Sequence, residues 1–478
     1  MPTMRDAVPP PGISAEDWAA TPVAVRGLVT ELLQRLAKLE ARLNQTSQNS
    51  SKPPSSDPPH TGPRRTREPS GRKTGGQPGH TGHRRQWKPE NEVDHIIDVR
   101  PESCGQWGTL LLGEDVEPER HQVTDFPRTT PVVIEYRRHC LWCVACGART
   151  QAAWPATMPE GSFGPRVQAT VGYWTGRIGA SHREVQEMLA TLCQTEVSVG
   201  SITALEQAVS RALATPVAEA MQYVQRQPVR NADETSWREK TKRRWLWISV
   251  TPLVTIFRLL KTRGAVGAKE VLGVEVWGAI GTDHYAGYHW IDSRQRQLCW
   301  AHLKREFVAW SQRTGETARI GVALLAVEKQ LFTSWYRVRD GTLAWANFQV
   351  ALFPLMARVR TLLEEGAAGA DAKAQGTCRN LLKRDAALWT FVWEPGVEPT
   401  NNCAERPLRR AVLWRRRSFG TQSEAGSQFV ERILTAVTTL RQQRRDVLDY
   451  LTAACAAAIG QQPAPSLLPL TPPPLFAR

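Results

Sequence analysis

The sequence predicts a multidomain α/β protein built around a ribonuclease-H-like core, a mixed sheet flanked by helices and carrying a helical insertion. Three observations carry this expectation. Residues 228–300 read as three strands, a short helix and a fourth strand. Two aspartates, Asp233 and Asp283, stand where the first and fourth strands are expected to end. From about 301 to 395, and again from 402 to 458, the pattern is helical with few Gly or Pro breaks.

Each element has its own signal. "PVRNADETSW" is an apolar approach that runs into acids. "RRWLWISVTPLVTIFRLL" is rich in β-branched and aromatic residues, and Thr251-Pro252 in its middle makes it a hairpin. "GAVGAKEVLG" is a short helix, and "VWGAIGTDHYAGY" delivers Asp283. The core is expected over 226–300, the helical insertion over 301–397, and C-terminal core helices with a third acid over 398–458. The Pro-rich tail 459–478 is expected to be disordered.

Upstream, 1–24 is an expected disordered N-terminus. Over 25–46, Val25, Val29, Leu32, Leu36, Leu39 and Leu43 alternate spacings of four and three. That is the seam of a short coiled-coil zipper, or of an amphipathic helix docked on its own domain. Residues 47–95 form a flexible arm dominated by Ser, Pro and Gly. Between 52 and 88 it holds nine Lys/Arg against two acids, a surplus suited to phosphate backbones or to a plain solvated linker. Arg64, Arg65, Arg72 and Lys73 are its candidate DNA contacts.

Residues 96–152 are read as a small β-rich, zinc-ribbon-like module. Cys143-x-x-Cys146-Gly is a good zinc knuckle, because two thiolates two residues apart in a tight turn can grip one tetrahedral ion. The opposite knuckle, "CGQWG", has Trp107 where a second cysteine would complete it. Cys104, Cys140, Cys143 and Cys146 remain as candidate Zn²⁺ ligands. Residues 160–225 are helical. Within them 182–213 reads as two helices around a turn, with Ser198 or Ser201 capping the second: a helix-turn-helix or an ordinary helical pair.

The chain has 478 residues, 61 Lys+Arg against 46 Asp+Glu and a formal net charge of +15. A polyanionic partner follows, nucleic acid first and a membrane surface second, weighed evenly against a merely basic soluble protein. The N-terminus has no apolar signal segment, and the run 245–260 is shorter than the ~20 residues a bilayer span needs. Nine cysteines without a secreted framework fit a reducing cytoplasm, so no membrane is expected.

Two carboxylates at neighbouring strand ends repel unless a cation lies between them, and Mg²⁺ takes one or two carboxylates plus phosphate oxygens and water. A third carboxylate on a packed helix would let two ions bind, which suits phosphoryl displacement. Glu234 rivals Asp233 within "ADETSW". In "EPTNNCAERPLRR", Asn402 and Glu405 have capping-box spacing, so Glu405 is a helix cap, a salt-bridge partner or a catalytic acid. Pro407 would then interrupt the helix; a helix starting later would free the carboxylate. Trp245 and Trp247 are expected in the core, while Trp300 and Trp414 are either core or a stacking surface for a base.

"NSSKPPSSD", "RKTGGQPGHTG", the cysteine knuckle, "ADETSW" with "RRWLWI", "TDHYAGY", "CWAHLKREF" and "NNCAERPLRRAVLWRRRSFGTQSEAGSQFVERILT" together resemble the DDE transposases of the insertion sequence 66 family, over about 25–458. The resemblance implies a catalytic triad of Asp233, Asp283 and Glu405 holding two Mg²⁺ or Mn²⁺ ions. It matches Tyr288 to the aromatic after the second Asp, and His302, Lys304 and Arg305 to a DNA-contacting segment. It also implies hydrolysis at the element's ends followed by attack of 3′-OH groups on target DNA, in a bacterial, nucleoid-associated setting. The implied partners are DNA, a second copy through the zipper, and small accessory proteins of the same element. Arg406, Arg409 and Arg410, with Arg415, Arg416 and Arg417, are read as phosphate grips, with surface solvation the alternative for at least half of them. The chain departs from the family pattern at Trp107, at Pro407 and Arg410, and just after Asp283. The alternatives are a catalytically inactive transposon-derived DNA-binding protein and an unrelated ribonuclease-H-fold nuclease.

Overall fold

The structure is a computed structural model that describes residues 9–10, 12–50, 81, 86–115 and 117–469. The arm residues Arg64, Arg65, Arg72 and Lys73 lie outside the described residues. Helix α1 (Val23–Leu43) carries the seam. Val25, Leu32, Leu36, Leu39 and Leu43 are all exposed along it, so the apolar stripe has no cover among the described residues.

Between 96 and 152 regular structure is sparser than the sequence suggests. Among the described residues it amounts to a three-residue ribbon, Cys140–Trp142 against Arg149–Gln151, and one bridge from Ser103 to Leu110. Two tight turns carry the rest. The Gly108 amide donates to the Cys104 carbonyl and the Cys104 amide to Thr109; the Gly147 amide donates to Cys143 and the Cys143 amide to Ala148. Gly108 and Gly147 both take positive φ, 64° and 69°. The two turns therefore match, and Trp107 sits at the position equivalent to Cys146.

Four helices precede the core: α2 (Pro165–Tyr173), α3 (His182–Cys193), α4 (Val199–Ala212) and α5 (Ala214–Gln225). Ser181 and Glu184 form a capping box on α3, and the Ser198 hydroxyl accepts the Ser201 amide to start α4. Val171, Val185, Leu189, Ile202 and Leu205 pack α2, α3 and α4 together, while α5 joins the main core through Ala220 and Val224.

The core sheet has five strands: β1 (Val229–Glu239), β2 (Lys242–Val250), β3 (Thr255–Leu260), β4 (Ala279–Thr282) and β5 (Arg296–Leu298). Their spatial order is β3-β2-β1-β4-β5. β1 pairs antiparallel with β2 and parallel with β4, so the sheet is mixed. Helix α6 (Ala265–Leu272) makes the crossover from β3 to β4. One face buries Trp247, Ile256, Ile280 and Tyr288 against α4, α5, α6 and the C-terminal helices. The other buries Leu246, Ile248 and Phe257.

The insertion is helical. It comprises α7 (Trp300–Ser311), α8 (Gly315–Arg339), α9 (Trp345–Ala368) and α10 (Ala372–Leu382), followed by short turns to Trp393. It has its own aromatic core of Trp300, Phe307, Trp335, Phe348, Trp389 and Phe391. The Trp300 amide donates to the Pro399 carbonyl at 2.9 Å, so the excursion closes at its base.

Helices α11 (Asn402–Ser418), α12 (Glu424–Gln442) and α13 (Val447–Ile459) complete the core. α12 runs along the β3 edge. The Thr439 and Thr435 hydroxyls accept the Thr255 and Phe257 amides at 3.1 and 3.0 Å, and Glu431 accepts the Leu259 amide. Every second strand residue thus meets every fourth helix residue, because two strand residues (~6.6 Å) nearly equal four helix residues (~6 Å) in length. Trp300 is buried in the core with its indole N–H on the Leu388 carbonyl, and the half-buried Trp414 packs against the core edge-on to Phe429.

Candidate active site

Asp233 does not end its strand. β1 continues six residues further, because the hairpin with β2 pairs as far as Glu239. The pairing that counts for the site is the one with β4. It ends at Asn231 opposite Gly281, and Asp233 and Asp283 each stand two residues beyond that last pair. Both residues are therefore at the same level, just past the last pair of two neighbouring parallel strands.

The third acid arrives from the other side. Asp233 faces Ile248 in register, and Ile248 packs with Ala404 and Leu408 of α11, so α11 covers the face that Asp233 occupies. Glu405 is the fourth residue of that helix. The helix starts at Asn402, earlier than the escape from the capping box required, with Asn401 as N-cap and no side-chain cap. The Glu405 carboxylate is free of the helix end all the same. Its Oε1 is buried without a hydrogen-bond donor. The helix also continues through Pro407, which leaves the Cys403 carbonyl without its usual amide but does not break the element.

Asn401 fixes where α11 begins. Its side-chain amide donates to the Ala232 carbonyl at 2.8 Å, and its oxygen accepts from the Asn231 side chain at 2.9 Å. Gly281 leaves room for this, because a Cβ there would collide with the Asn231 amide. One buried asparagine thus ties the Glu405 helix to the backbone beside Asp233.

The electrostatics follow from this convergence. Burial first, then Asp283, Glu234 and Glu405, hold the Asp233 carboxyl well above the usual aspartate range. The Glu234 amide on Asp233 Oδ1 works the other way. Glu234 itself is already engaged. Its oxygens accept from Arg263 at 2.9 Å and from the Tyr288 hydroxyl at 2.5 Å, and burial beside Asp283 pushes it up to about 7. That network, on the buried Tyr288, occupies both oxygens of Glu234.

The residues around Asp283 are basic. Arg296 of β5 donates to Thr282 Oγ1 and to the Asp283 carbonyl, both at 2.8 Å, while its Nη1 is buried without a partner. Burial, with Arg296 and Arg384 nearby, lowers His284 and His289 to about 4, and the Nε2 atoms of both rings are also unpartnered. Sequence reading passed over this cluster, which the fold assembles from 284, 289, 296 and 384.

The expected DNA contacts fall into two sets. Arg406 and Arg409 are exposed on α11, and Arg417 is paired to Glu184 at 3.6 Å. Arg415 turns inward to Thr235 and Ser236 of β1, at 3.1 Å from Thr235 Oγ1 and 2.8 Å from Ser236 Oγ. Arg416 is exposed, Arg410 and Arg305 are half-buried, and Lys304 is held by both oxygens of Glu328. His302 is also half-buried, and its Nδ1 faces Glu405 Oε1 at 3.6 Å.

The three acids come close enough for Asp233 to feel the other two, but they are not drawn to one point. Among the described residues, the three donor atoms within 4.8 Å of one another belong to Cys299, His302 and Glu405. The cysteines of the matched turns form no such set, although the Cys143 thiol is lowered by the amides of Cys146 and Ala145 and by the Cys146 thiol.

A family model described as "Transposase IS66 family" matches residues 160–429, more than half of the chain and all three acids. The chain belongs to this family. A second model, a family of unknown function (DUF6444), matches residues 12–86, the segment of helix α1 and the basic arm. "Uncharacterized protein y4qI" of Sinorhizobium fredii (strain NBRC 101917 / NGR234) is 24% identical over 255 residues, 49% of this chain and 47% of that protein. The chain thus spans about half the length of that curated relative. Among the described residues no helix is long and apolar enough to cross a membrane.

Proposed function

We propose that this protein binds the ends of a bacterial insertion sequence, hydrolyses DNA strands there and joins the 3′-OH ends to target DNA, with Asp233, Asp283 and Glu405 as its catalytic acids. The observation that supports this reading is convergence on Asp233: its carboxyl, raised first by burial, is raised further by Asp283 and by Glu405, which come from separate elements. Three facing carboxylates are costly without a cation, and the buried Glu405 Oε1 has no donor. Hard oxygen donors suit Mg²⁺ or Mn²⁺, so the residues fit two such ions. Bound there, the ions would activate the attacking oxygen and stabilise the leaving one.

The chain's own residues supply the rest. Asn401 holds Glu405 in register with Asp233. Arg406 and Arg409 lie one helical turn apart on the solvent side of α11, where they would grip phosphates. Arg296 supports the Asp283 loop through its bonds to Thr282 Oγ1 and the Asp283 carbonyl. The exposed stripe of α1 would pair with the same helix of a second copy, and the basic arm would add sequence-independent DNA affinity. Zn²⁺ at Cys104, Cys140, Cys143 and Cys146 rests on the one intact knuckle. Small proteins of the same element are proposed as accessory partners.

The test is a strand-cleavage and end-binding assay on DNA carrying the element's ends. Asp233→Asn, Asp283→Asn and Glu405→Gln should each abolish Mg²⁺-dependent cleavage and keep end binding. Near wild-type cleavage by any one of them would refute the triad.

A further inference from the structure

Cys299 is the residue just before α7, and His302 is one turn into it. This Cys-x-x-His spacing brings both side chains to one end of the helix, where Glu405 of α11 meets them. The three donor atoms lie within 4.8 Å of one another, and His302 Nδ1 and Glu405 Oε1 are 3.6 Å apart. Both of these atoms are buried and make no hydrogen bond. A neutral imidazole and a carboxylate could satisfy each other by one shared proton, yet here they do not, and the sulfur stands beside them. Thiolate, imidazole and carboxylate form a donor set suited to zinc, and in a tetrahedral site these donors would sit roughly 3.3–3.8 Å apart. The Asn401 amide already donates to Cys299 Sγ at 3.1 Å, the kind of outer hydrogen bond that supports a metal thiolate.

We propose that Cys299, His302 and Glu405 form a binding site for a divalent cation of the zinc class, overlapping the two-ion site at Glu405, that switches the protein off by taking that carboxylate. Capture transfers the Cys299 proton to solvent and forms bonds from metal to sulfur, nitrogen and oxygen, with water completing the tetrahedron. Glu405 cannot serve both sites at once, so zinc and magnesium oppose each other. The inhibitory part rests on the reading of Glu405 as the third catalytic acid; the binding part does not.

Cobalt(II) reports the site directly, because a thiolate ligand gives a charge-transfer band and a tetrahedral centre gives intense visible bands. The full-length Cys143→Ser/Cys146→Ser protein should take up about one equivalent of Co²⁺ with both signatures. Adding Cys299→Ser should remove the thiolate band, and adding His302→Gln should keep that band but weaken affinity at least tenfold. Circular dichroism and the unfolding midpoint establish that each variant is folded. A thiolate band that survives Cys299→Ser, or no band in the folded parent, would overturn the site. In the second arm, Zn²⁺ titrated into the wild-type protein should suppress its Mg²⁺-dependent cleavage and Cys299→Ser should relieve that suppression, while Glu405→Gln should bind Co²⁺ more weakly. If Glu405→Gln cleaves normally, the catalytic reading fails while the cobalt result still decides the site. Normal cobalt binding with cleavage insensitive to zinc would overturn the switch.

Discussion

Asn401 donates from its side chain to the carbonyl of Ala232 at 2.8 Å, one residue before Asp233 on a different element. This bond couples the third acid to the first. Asn401→Ala would leave the buried Ala232 carbonyl and the Asn231 amide unpaired, at about 1–3 kcal/mol. Cleavage should fall at least tenfold while end binding holds, and Asn401→Asp should fall further because it adds charge to the acids. A cleavage assay run beside a thermal melt checks this. A lower midpoint with unchanged cleavage per folded molecule would show that Asn401 only stabilises.

The raised Asp233 carboxyl has a stability consequence. When the folded state binds its proton more tightly than the unfolded one, stability is greatest at low pH and is lost as pH rises from the ordinary value of about 4 through the raised one. Metal-free protein at pH 8 therefore carries a penalty that Asp233→Asn removes. The variant should melt about 2 °C higher than wild type in EDTA. Mg²⁺ should raise the wild-type midpoint and leave the variant's unchanged.

Arg406 and Arg409 can be separated from Arg415 by salt. The first two are exposed, and Arg406→Ala/Arg409→Ala should reduce the slope of log affinity against log salt by about two without changing the melt. Arg415 holds α11 to β1 through Thr235 and Ser236. Arg415→Ala should instead cost about 2 kcal/mol of stability, read by denaturant unfolding.

Tyr288→Phe would take one donor from the buried Glu234, leaving Arg263 alone to satisfy it. The expected loss is about 1–3 kcal/mol, larger above pH 7 than below, because Glu234 titrates at about 7 and only its charged form needs both donors.

The α1 stripe is tested by Leu32→Lys/Leu36→Lys. Both leucines are about half exposed, at 52% and 53%. The double variant should run as a monomer in light scattering where the parent runs as a larger species. An unchanged mass would place assembly elsewhere.

The sheet was legible in the sequence because its strands are short, β-branched and punctuated: Thr251-Pro252 marks the hairpin and the glycines around α6 mark the crossover. What misled was the reach of β1. Three residues of pairing with β4 look like a strand end, and the longer pairing with β2 hides from any one-dimensional pattern. Glu405 was ambiguous for a related reason. Its neighbours have capping chemistry, and only the anchoring of Asn401 across the sheet leaves the carboxylate free. The arginine run was readable as charge, but Arg415 points inward while Arg406 and Arg409 do not, a division set by helical phase against β1. The Cys299–His302 spacing was visible within "CWAHLKREF", and the missing signal was the third donor, a hundred residues away along the chain.

The pairing of α12 with β3 limits how these molecules can join. A bare strand edge invites a foreign strand, which is how many proteins recruit peptides and how misfolded ones stack into fibres. Here Thr255, Phe257 and Leu259 have already spent their amides on Thr439, Thr435 and Glu431. A substitution such as Thr435→Val would reopen one rung of that ladder, and three together would turn a closed border into an adhesive one. With this border shut, the strand edge at β3 is closed to recruitment by a foreign strand.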